Sequence, residues 1–373
     1  MRVALAALVA LAVSQGIGRF AFTPILPMMQ VDSGLSVPEG GWLASANYLG
    51  YLVGALWAVR LRLAARTAIR TGLAVIGLST LAMALRDGFA LWVSLRALAG
   101  LASALVLVFV SAWSLERLAA LGSARLSGVV YSGVGAGIVV AGIACLALMN
   151  LRASASAAWV GLGIVALAAT ALVWPVFGSG AEARALPLAE GSGRGGDFWR
   201  LVLCYGAYGF GYIIPATFLP VMAKEVVPDP ELFGWAWPVF GAAAVVSTLV
   251  AQRMRRSHRG VWAASHMVMA AGVIVPLVVP GLAGIIVAAL SVGGTFVVIT
   301  QVGLQEARGV AGSAARPLIA AMTSAFALGQ VVGPLAVAWL ARSTGGFSGA
   351  LILASALLTL SALALVPRWG RAI

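Results

Sequence analysis

Long apolar runs, interrupted at short intervals by charges, Pro and Gly, dominate the chain. A membrane-crossing helix needs about 20 mainly apolar residues. Twelve runs approach that length: 3–29, 41–59, 71–85, 89–115, 127–149, 157–177, 198–223, 234–251, 261–279, 282–305, 317–341 and 349–366. Most connections are short, so neighbouring helices are expected to be antiparallel. Lipid offers no hydrogen bonds, so each span must satisfy its backbone internally, which predicts an all-α bundle of twelve transmembrane helices. The first run, Arg2 followed by Val3–Val13, has the outline of a secretory leader. It continues far past Val13 and its sequence returns later in the chain, so it reads as a span.

The return marks a duplication. Gly16–Met29 (GIGRFAFTPILPMM) aligns with Gly209–Met222 (GFGYIIPATFLPVM) at an offset of 193, with identities at Gly16/Gly209, Gly18/Gly211, Leu26/Leu219, Pro27/Pro220 and Met29/Met222. The same offset pairs Gly41 with Gly234 and Trp42 with Trp235. Six spans separate the copies, and an even number leaves both pointing the same way, which predicts a parallel 6+6 repeat about an axis along the membrane normal. The longest polar connection, Gly178 to Asp197, lies between the copies. The expected organisation is a six-helix bundle over 1–177, a cytoplasmic linker over 178–197 and a second six-helix bundle over 198–373.

Composition agrees with a membrane solvent. Hydrophobic residues make up 62% and charged residues 9% of the 373, with a mean hydropathy of +1.03. Soluble domains carry about 25% charged residues, so an ordinary cytosolic enzyme is excluded, as is a disordered chain. The net charge of +13 is spread in short clusters between apolar runs, with no single basic face or tail for nucleic acid. With the N-terminus in the cytoplasm, eighteen Arg residues fall on the cytoplasmic side and four basic residues (Arg86, Arg152, Lys224, Arg342) on the outer side. That asymmetry predicts both termini inside, in an inner membrane. Cys145 and Cys204 lie inside apolar runs and offer neither a disulfide framework nor metal-ligand spacing. No cofactor motif, HExxH, phosphate loop or GxSxG elbow is present. The expected partners are a small-molecule substrate and the bilayer, for a monomer without nucleic acid, metal or enzymatic activity.

Twelve spans, a 6+6 duplication and a long central loop resemble the major facilitator superfamily. Ser94–Gly100 (SLRALAG) is similar to that family's span-four signature, an Arg followed four residues later by Gly. Gly133–Gly142 (GVGAGIVVAG) and Leu328–Pro334 (LGQVVGP) resemble its glycine-rich antiporter-type segment, although span five lacks the usual Pro. GIGRFAFTP in span one, with Ala46–Gly54 in span two, is similar to a little-characterised bacterial branch of transporters. The usual G-x-x-x-D-R between spans two and three is absent. Gly54 is followed by Ala58 and Val59 at those positions, and Ala251 takes the equivalent place in the second copy. Arg60, Arg62 and Arg66 either pair with Glu116 or Glu306 at neighbouring cytoplasmic ends or only set topology. Arg125 and Arg316 occupy corresponding places at the entries of spans five and eleven. Gly133/Gly137 and Gly329/Gly333 are GxxxG pairs that let helices approach closely, and the resemblance implies that the two bundles rock there.

The candidate chemistry lies in the charges. Arg19 and Arg96 are the two charges inside spans, whereas all eleven acids fall in loops or at span ends. A charge at the bilayer centre costs about 2.5–3.5 kcal/mol on insertion scales and faces a cavity or partner. Guanidinium pairs with carboxylate or phosphate through two parallel hydrogen bonds. Arg19 therefore reads either as a ligand for an anionic substrate or as a donor to carbonyls freed near Pro24 and Pro27 or to Asn47. Arg96 reads as structural or gating ahead of substrate contact. The offset places Tyr212 opposite Arg19, and Tyr205, Tyr208 and Tyr212 share one face of span seven. Asn47 and Tyr51 lie i, i+4 on span two, with Thr300 and Gln301 in span ten. The resemblance implies that spans one, four, seven and ten line a central cavity. His258 falls in a basic loop and His266 near the end of span nine, where it reads as structural. Two functions follow: a secondary transporter of a small organic anion working by alternating access, or an exporter of amphipathic compounds. With no interior carboxylate, proton coupling would need an end group such as Glu116 or Glu306; otherwise the protein is an exchanger or uniporter.

Overall fold

A computed structural model of the chain describes residues 1–61, 63–85, 88–178, 196–227, 229–251, 257–311, 315–344 and 346–366. No strand occurs among the described residues. The helices are α1 (Arg2–Leu11), α2 (Phe22–Ser33), α3 (Val37–Arg60), α4 (Ala65–Ala82), α5 (Phe89–Ala120), α6 (Ser127–Asn150), α7 (Ala155–Val173), α8 (Gly196–Val226), α9 (Pro230–Phe233), α10 (Ala236–Ala251), α11 (His258–Val278), α12 (Leu282–Ala311), α13 (Ala315–Thr344) and α14 (Ser348–Leu365). Among the described residues nine helices are long and apolar enough to cross a membrane, the first being the joined stretch Arg2–Ser33. α3, α4 and the shorter apolar α10 occupy the second, third and eighth predicted runs. Most of the linker, 179–195, lies outside the described residues, as do Arg62, Arg86, Arg253, Arg255, Arg256, Arg368 and Arg371.

Span one is broken by its own sequence. Between α1 and α2 the chain passes through a π-helical segment, Ala12–Ile17, and a turn over 18–21. The Gly18 and Phe20 amides reach five residues back, to Val13 (2.9 Å) and Gln15 (3.1 Å). Pro24 has no N–H for the Phe20 carbonyl, and the Thr23 amide bonds it instead, three residues back at 3.2 Å. The i−4 ladder is thus out of register where Gly18 and Arg19 present their carbonyls. In the second copy α8 continues as helix past both Pro215 and Pro220.

The packing maps onto itself when the helices are advanced by six spans. α1 and the π segment pack on α6 as α8 packs on α13. α3 packs on α5 as α10 does on α12. α4 packs on α5 and α7 as α11 does on α12 and α14. Joining the two sets are α3 with α13, α6 with α10, and α2 with α8. The first span and α8 sit deepest, with 72% and 83% of their most apolar windows buried, against 39% for α7 and α14. Helix ends carry exposed tryptophans, Trp42, Trp57, Trp174, Trp199, Trp235 and Trp339, the placement of interfacial belts.

The described acids with partners serve helix ends. Glu39 closes a capping box with Ser36 at the start of α3, and Asp32 accepts from the Ala155 amide at the start of α7. Asp197 pairs with Arg200 and Arg259, and Glu306 pairs with Arg259 at 2.7 Å.

The GxxxG pairs do not face where the resemblance implied. A Cβ on Gly133 would lie 2.2 Å from the Leu8 carbonyl oxygen, and one on Gly137 2.3 Å from that of Ala12. Gly329 and Gly333 similarly meet Gly206 and Ile213 of α8. Both pairs therefore fasten a helix to the first span of its own repeat. The contacts across the two sets use other small residues: Gly135 against Gly241, Gly142 against Pro238, and Gly41 against Pro334.

Candidate functional site

The unwound segment of span one delivers Arg19 to the centre of the molecule, where it is 4% exposed. Its Nη1 donates to Gln15 Oε1 at 3.2 Å. Gln15 is itself held by donating Nε2 to the Ser103 carbonyl at 3.1 Å, and Ser103 Oγ donates to the Ser14 carbonyl at 2.7 Å. Three rings surround the guanidinium, with Cζ 4.1 Å from the Tyr51 centroid, 5.1 Å from Phe20 and 5.3 Å from Tyr48. Tyr212 of α8 stands within electrostatic reach. Each such ring contributes about 0.5–2 kcal/mol to a cation, more when desolvated. The faces of the guanidinium are thus served and the Tyr212 hydroxyl makes a marginal polar contact, but Nε and Nη2 have no well-formed hydrogen bond, and among the described residues no carboxylate pairs with the group.

Arg96 has a different situation at similar depth. Its Nη1 donates to the Gly18 carbonyl (3.3 Å) and its Nη2 to the Arg19 carbonyl (3.1 Å). Asn47 Nδ2 donates to Gly18 as well (3.2 Å) and to the Arg96 carbonyl (2.9 Å). Arg96 and Asn47 therefore occupy the carbonyls that the break in span one exposes. The bonds to freed carbonyls foreseen for Arg19 are made by Arg96, and Asn47 Nδ2 clamps the same backbone while its Oδ1 is buried without a partner. Arg96→Met should lower stability by about 3 kcal/mol or more, two charge-assisted bonds at about 1.5–3 kcal/mol each. Thermal unfolding of the purified variant checks this.

Around Arg19 the second copy contributes an aromatic wall. Tyr212 stacks on Phe296 and Phe326, both at 5.6 Å, and Tyr208 tilts against Tyr212 at 5.1 Å. Tyr208 donates its hydroxyl to the Phe296 carbonyl (2.6 Å) and lies 2.9 Å from Thr300 Oγ1. Gln330 Nε2 donates to the Tyr212 hydroxyl. Arg19, Tyr51, Tyr208 and Tyr212 are thus brought together as the sequence suggested. Gln301 is half-buried one residue beyond Thr300, and Thr300 takes the contact instead. Gln15, Tyr48, Phe296, Phe326 and Gln330 were missed. Tyr48, three residues from Tyr51 on the same helical face, is the one with a visible signal.

One end of this centre is closed by polar contacts between the two repeats. Pro220 supplies no N–H to the Ala216 carbonyl, and Thr23 Oγ1 takes it at 2.7 Å. Thr23 and Ala216 are themselves equivalent positions at the offset of 193. Tyr48 and Thr217 share a hydrogen bond at 3.1 Å, Ser45 Oγ donates to Val331 at 2.9 Å, and Lys224 Nζ donates to the Pro27 carbonyl at 3.3 Å.

Of the cytoplasmic-end groups singled out in the sequence, Glu306 pairs with Arg259, because α11 and α12 bring those two ends together; the side chains of Arg60 and Arg62 lie outside the described residues. Arg125 is exposed in a short turn before α6. The side chains of Glu116 and Arg316 lie outside the described residues. His266 is fully buried and its Nε2 accepts from Trp262 Nε1 at 2.9 Å, in keeping with a structural role.

Residues 11–366 match the family described as uncharacterised MFS-type transporter YbfB. The chain belongs to this family. It is therefore a multi-pass membrane transporter. Among the curated proteins none matches the chain.

Proposed function

We propose that the protein is a secondary transporter carrying a small organic anion across the inner membrane by alternating access, with Arg19 as the ligand for the cargo's negative charge. The observation carrying this reading is the buried Arg19 edge, whose Nε and Nη2 have no well-formed hydrogen bond while its aromatic faces are served. Burial of donors without acceptors costs free energy that a bidentate carboxylate would recover. Tyr51, Tyr208 and Tyr212 shape the rest of the site. Arg96 and Asn47 support it by fixing the broken helix.

In this reading all twelve helical runs cross the membrane, with both termini in the cytoplasm. The chain divides into bundles over 1–177 and 198–373, a division supported by the self-mapping packing. The bundles rock on the α6–α10 and α3–α13 surfaces. The contacts around Thr23, Tyr48 and Lys224 then seal the outer side, and the cargo site communicates with the cytoplasm when the inner ends part. Coupling falls to exchange, uniport or an ionisable end group such as Glu306.

A screen of purified protein against a library of small acids tests the reading, because a ligand of the folded state raises its melting temperature by mass action. Stabilisation by an acid that disappears in Arg19→Gln supports it. A flat screen, or stabilisation unchanged in that variant, removes the anion assignment. The outer seal has its own test. Thr23→Val with Tyr48→Phe should favour the outward-open form, since two interbundle hydrogen bonds of about 1 kcal/mol each are lost. With Cys145 and Cys204 replaced by Ala, maleimide labelling of Ala44→Cys, a fully buried position on α3, should rise by up to about thirtyfold; unchanged labelling would place the seal elsewhere.

A further inference from the structure

The site's walls say more about the cargo than its charge. Much of what surrounds Arg19 is aromatic. Tyr51 lies under the guanidinium. Phe296, Tyr212 and Phe326 form a ladder of nearly parallel rings, with interplanar angles of 1° and 6°. Tyr208 leans on this ladder at 4.9 Å from Phe326. Three of the tyrosine hydroxyls already have protein partners: Tyr48 with Thr217, Tyr208 with Phe296 and Thr300, and Tyr212, which accepts from Gln330. A sugar acid carries more hydroxyl groups than the free acceptors here, Asn47 Oδ1 and Gln330 Oε1, can satisfy. An amino acid would bring an ammonium group to a centre already holding two guanidinium groups, with no carboxylate beside Arg19 among the described residues. A saturated acid gains contact area alone, whereas a planar ring gains offset-stacked or edge-to-face geometry in addition.

We propose that the cargo is a small aromatic monocarboxylate, its carboxylate on the Nε/Nη2 edge of Arg19 and its ring against the Tyr212–Phe296–Phe326 ladder. This rests on the anion reading above and narrows it. Arg19 sets the charge that is accepted, and the ladder sets the shape.

The test compares acids of equal charge and nearly equal size. Benzoate and phenylacetate are titrated calorimetrically into the purified full-length protein, beside cyclohexanecarboxylate and cyclohexylacetate. The aromatic member of at least one pair should bind ten times more tightly than its saturated counterpart. Phe296→Leu and Tyr212→Leu should each reduce that ratio below threefold while a saturated acid still binds. Two variants are used because Tyr212 also anchors Gln330, and Phe296→Leu changes only an apolar ring. Equal binding of both members of each pair, abolished by Arg19→Gln, overturns the aromatic assignment and leaves the anion site standing. A preference that survives both ladder variants overturns it as well. If none of the four acids binds, the aromatic assignment falls, and the wider acid screen decides separately on the anion.

Discussion

Arg19→Gln is expected to reduce uptake of the anionic cargo by about 100-fold or more while leaving the purified protein about as stable as the parent. The two outcomes have different origins. Uptake falls because the cargo loses charge-assisted hydrogen bonds to Nε and Nη2, each worth about 1.5–3 kcal/mol, and about 2.7 kcal/mol is already a factor of 100. Stability holds because the native protein gains little from this cation. It has one well-formed side-chain hydrogen bond, to Gln15 at 3.2 Å, a marginal contact with Tyr212 and three ring contacts. Against these stands an insertion cost of about 2.5–3.5 kcal/mol, which Gln removes together with the ring attraction. Transport in proteoliposomes and thermal unfolding of the same preparation check the pair of outcomes. Full transport by Arg19→Gln would remove the anion assignment. Arg96→Met gives the opposite contrast, since Arg96 spends its donors on the Gly18 and Arg19 carbonyls and its loss is felt as unfolding.

That two arginines of similar depth take opposite roles was only partly legible in the sequence. Their position inside apolar runs, far from any acid, was plain from periodicity alone. So was the duplication, which correctly set Tyr212 beside Arg19. The allocation of roles was not legible, because it depends on where the backbone of span one loses its register. Pro24 pointed to a break, but the π segment over Ala12–Ile17 lies a full turn and more earlier. A π segment leaves no compositional trace beyond Gly16 and Gly18. Its exposed carbonyls select Arg96 and Asn47 from neighbouring helices, a tertiary match that a single sequence does not display. Gln15 was passed over for the same reason, since a lone amide in an apolar run acquires meaning only once Arg19 is seen one helical step away.

The glycines carry the same lesson. GxxxG spacing correctly marked faces of close approach, yet it does not say which partner is approached. Gly133 and Gly137 serve the first span, while Gly135, two residues on and so on another face, serves α10. Placing the rocking surface at the GxxxG pairs takes one face for another, since the helix keeps Gly133 and Gly135 about 200° apart. The charge pattern at the helix ends had a similar limit: Glu306 was recognised as a pairing group, but its partner Arg259 comes from the adjacent end of α11.

The most damaging single change should be Gly100→Val. In the span-four signature Gly100 follows Arg96 by one turn, and a Cβ there would lie 1.9 Å from the Asn47 carbonyl oxygen. That atom is helix backbone and cannot swing aside. Relief one turn along is closed off, because a Cβ on Gly50 of α3 would meet the Ala97 carbonyl of α5 at the same 1.9 Å, so the two helices are in contact through main chain on both sides. Val at 100 therefore forces α3 and α5 apart. Asn47 is carried away from the Gly18 and Arg96 carbonyls, which adds about 1 kcal/mol for each bond lost to an overpacking cost of about 1–3 kcal/mol or more. The total is about 3–5 kcal/mol or more, the range in which a marginally stable protein fails to fold. Gly100→Val should yield no monodisperse species on size exclusion. Gly161→Val, in α7 where a Cβ meets nothing within 4 Å, should purify and melt like the parent. A folded Gly100→Val protein with an unshifted melting temperature would mean that α3 and α5 do not pack through these glycines, and the scaffold that holds Arg19 in place would have to be redrawn.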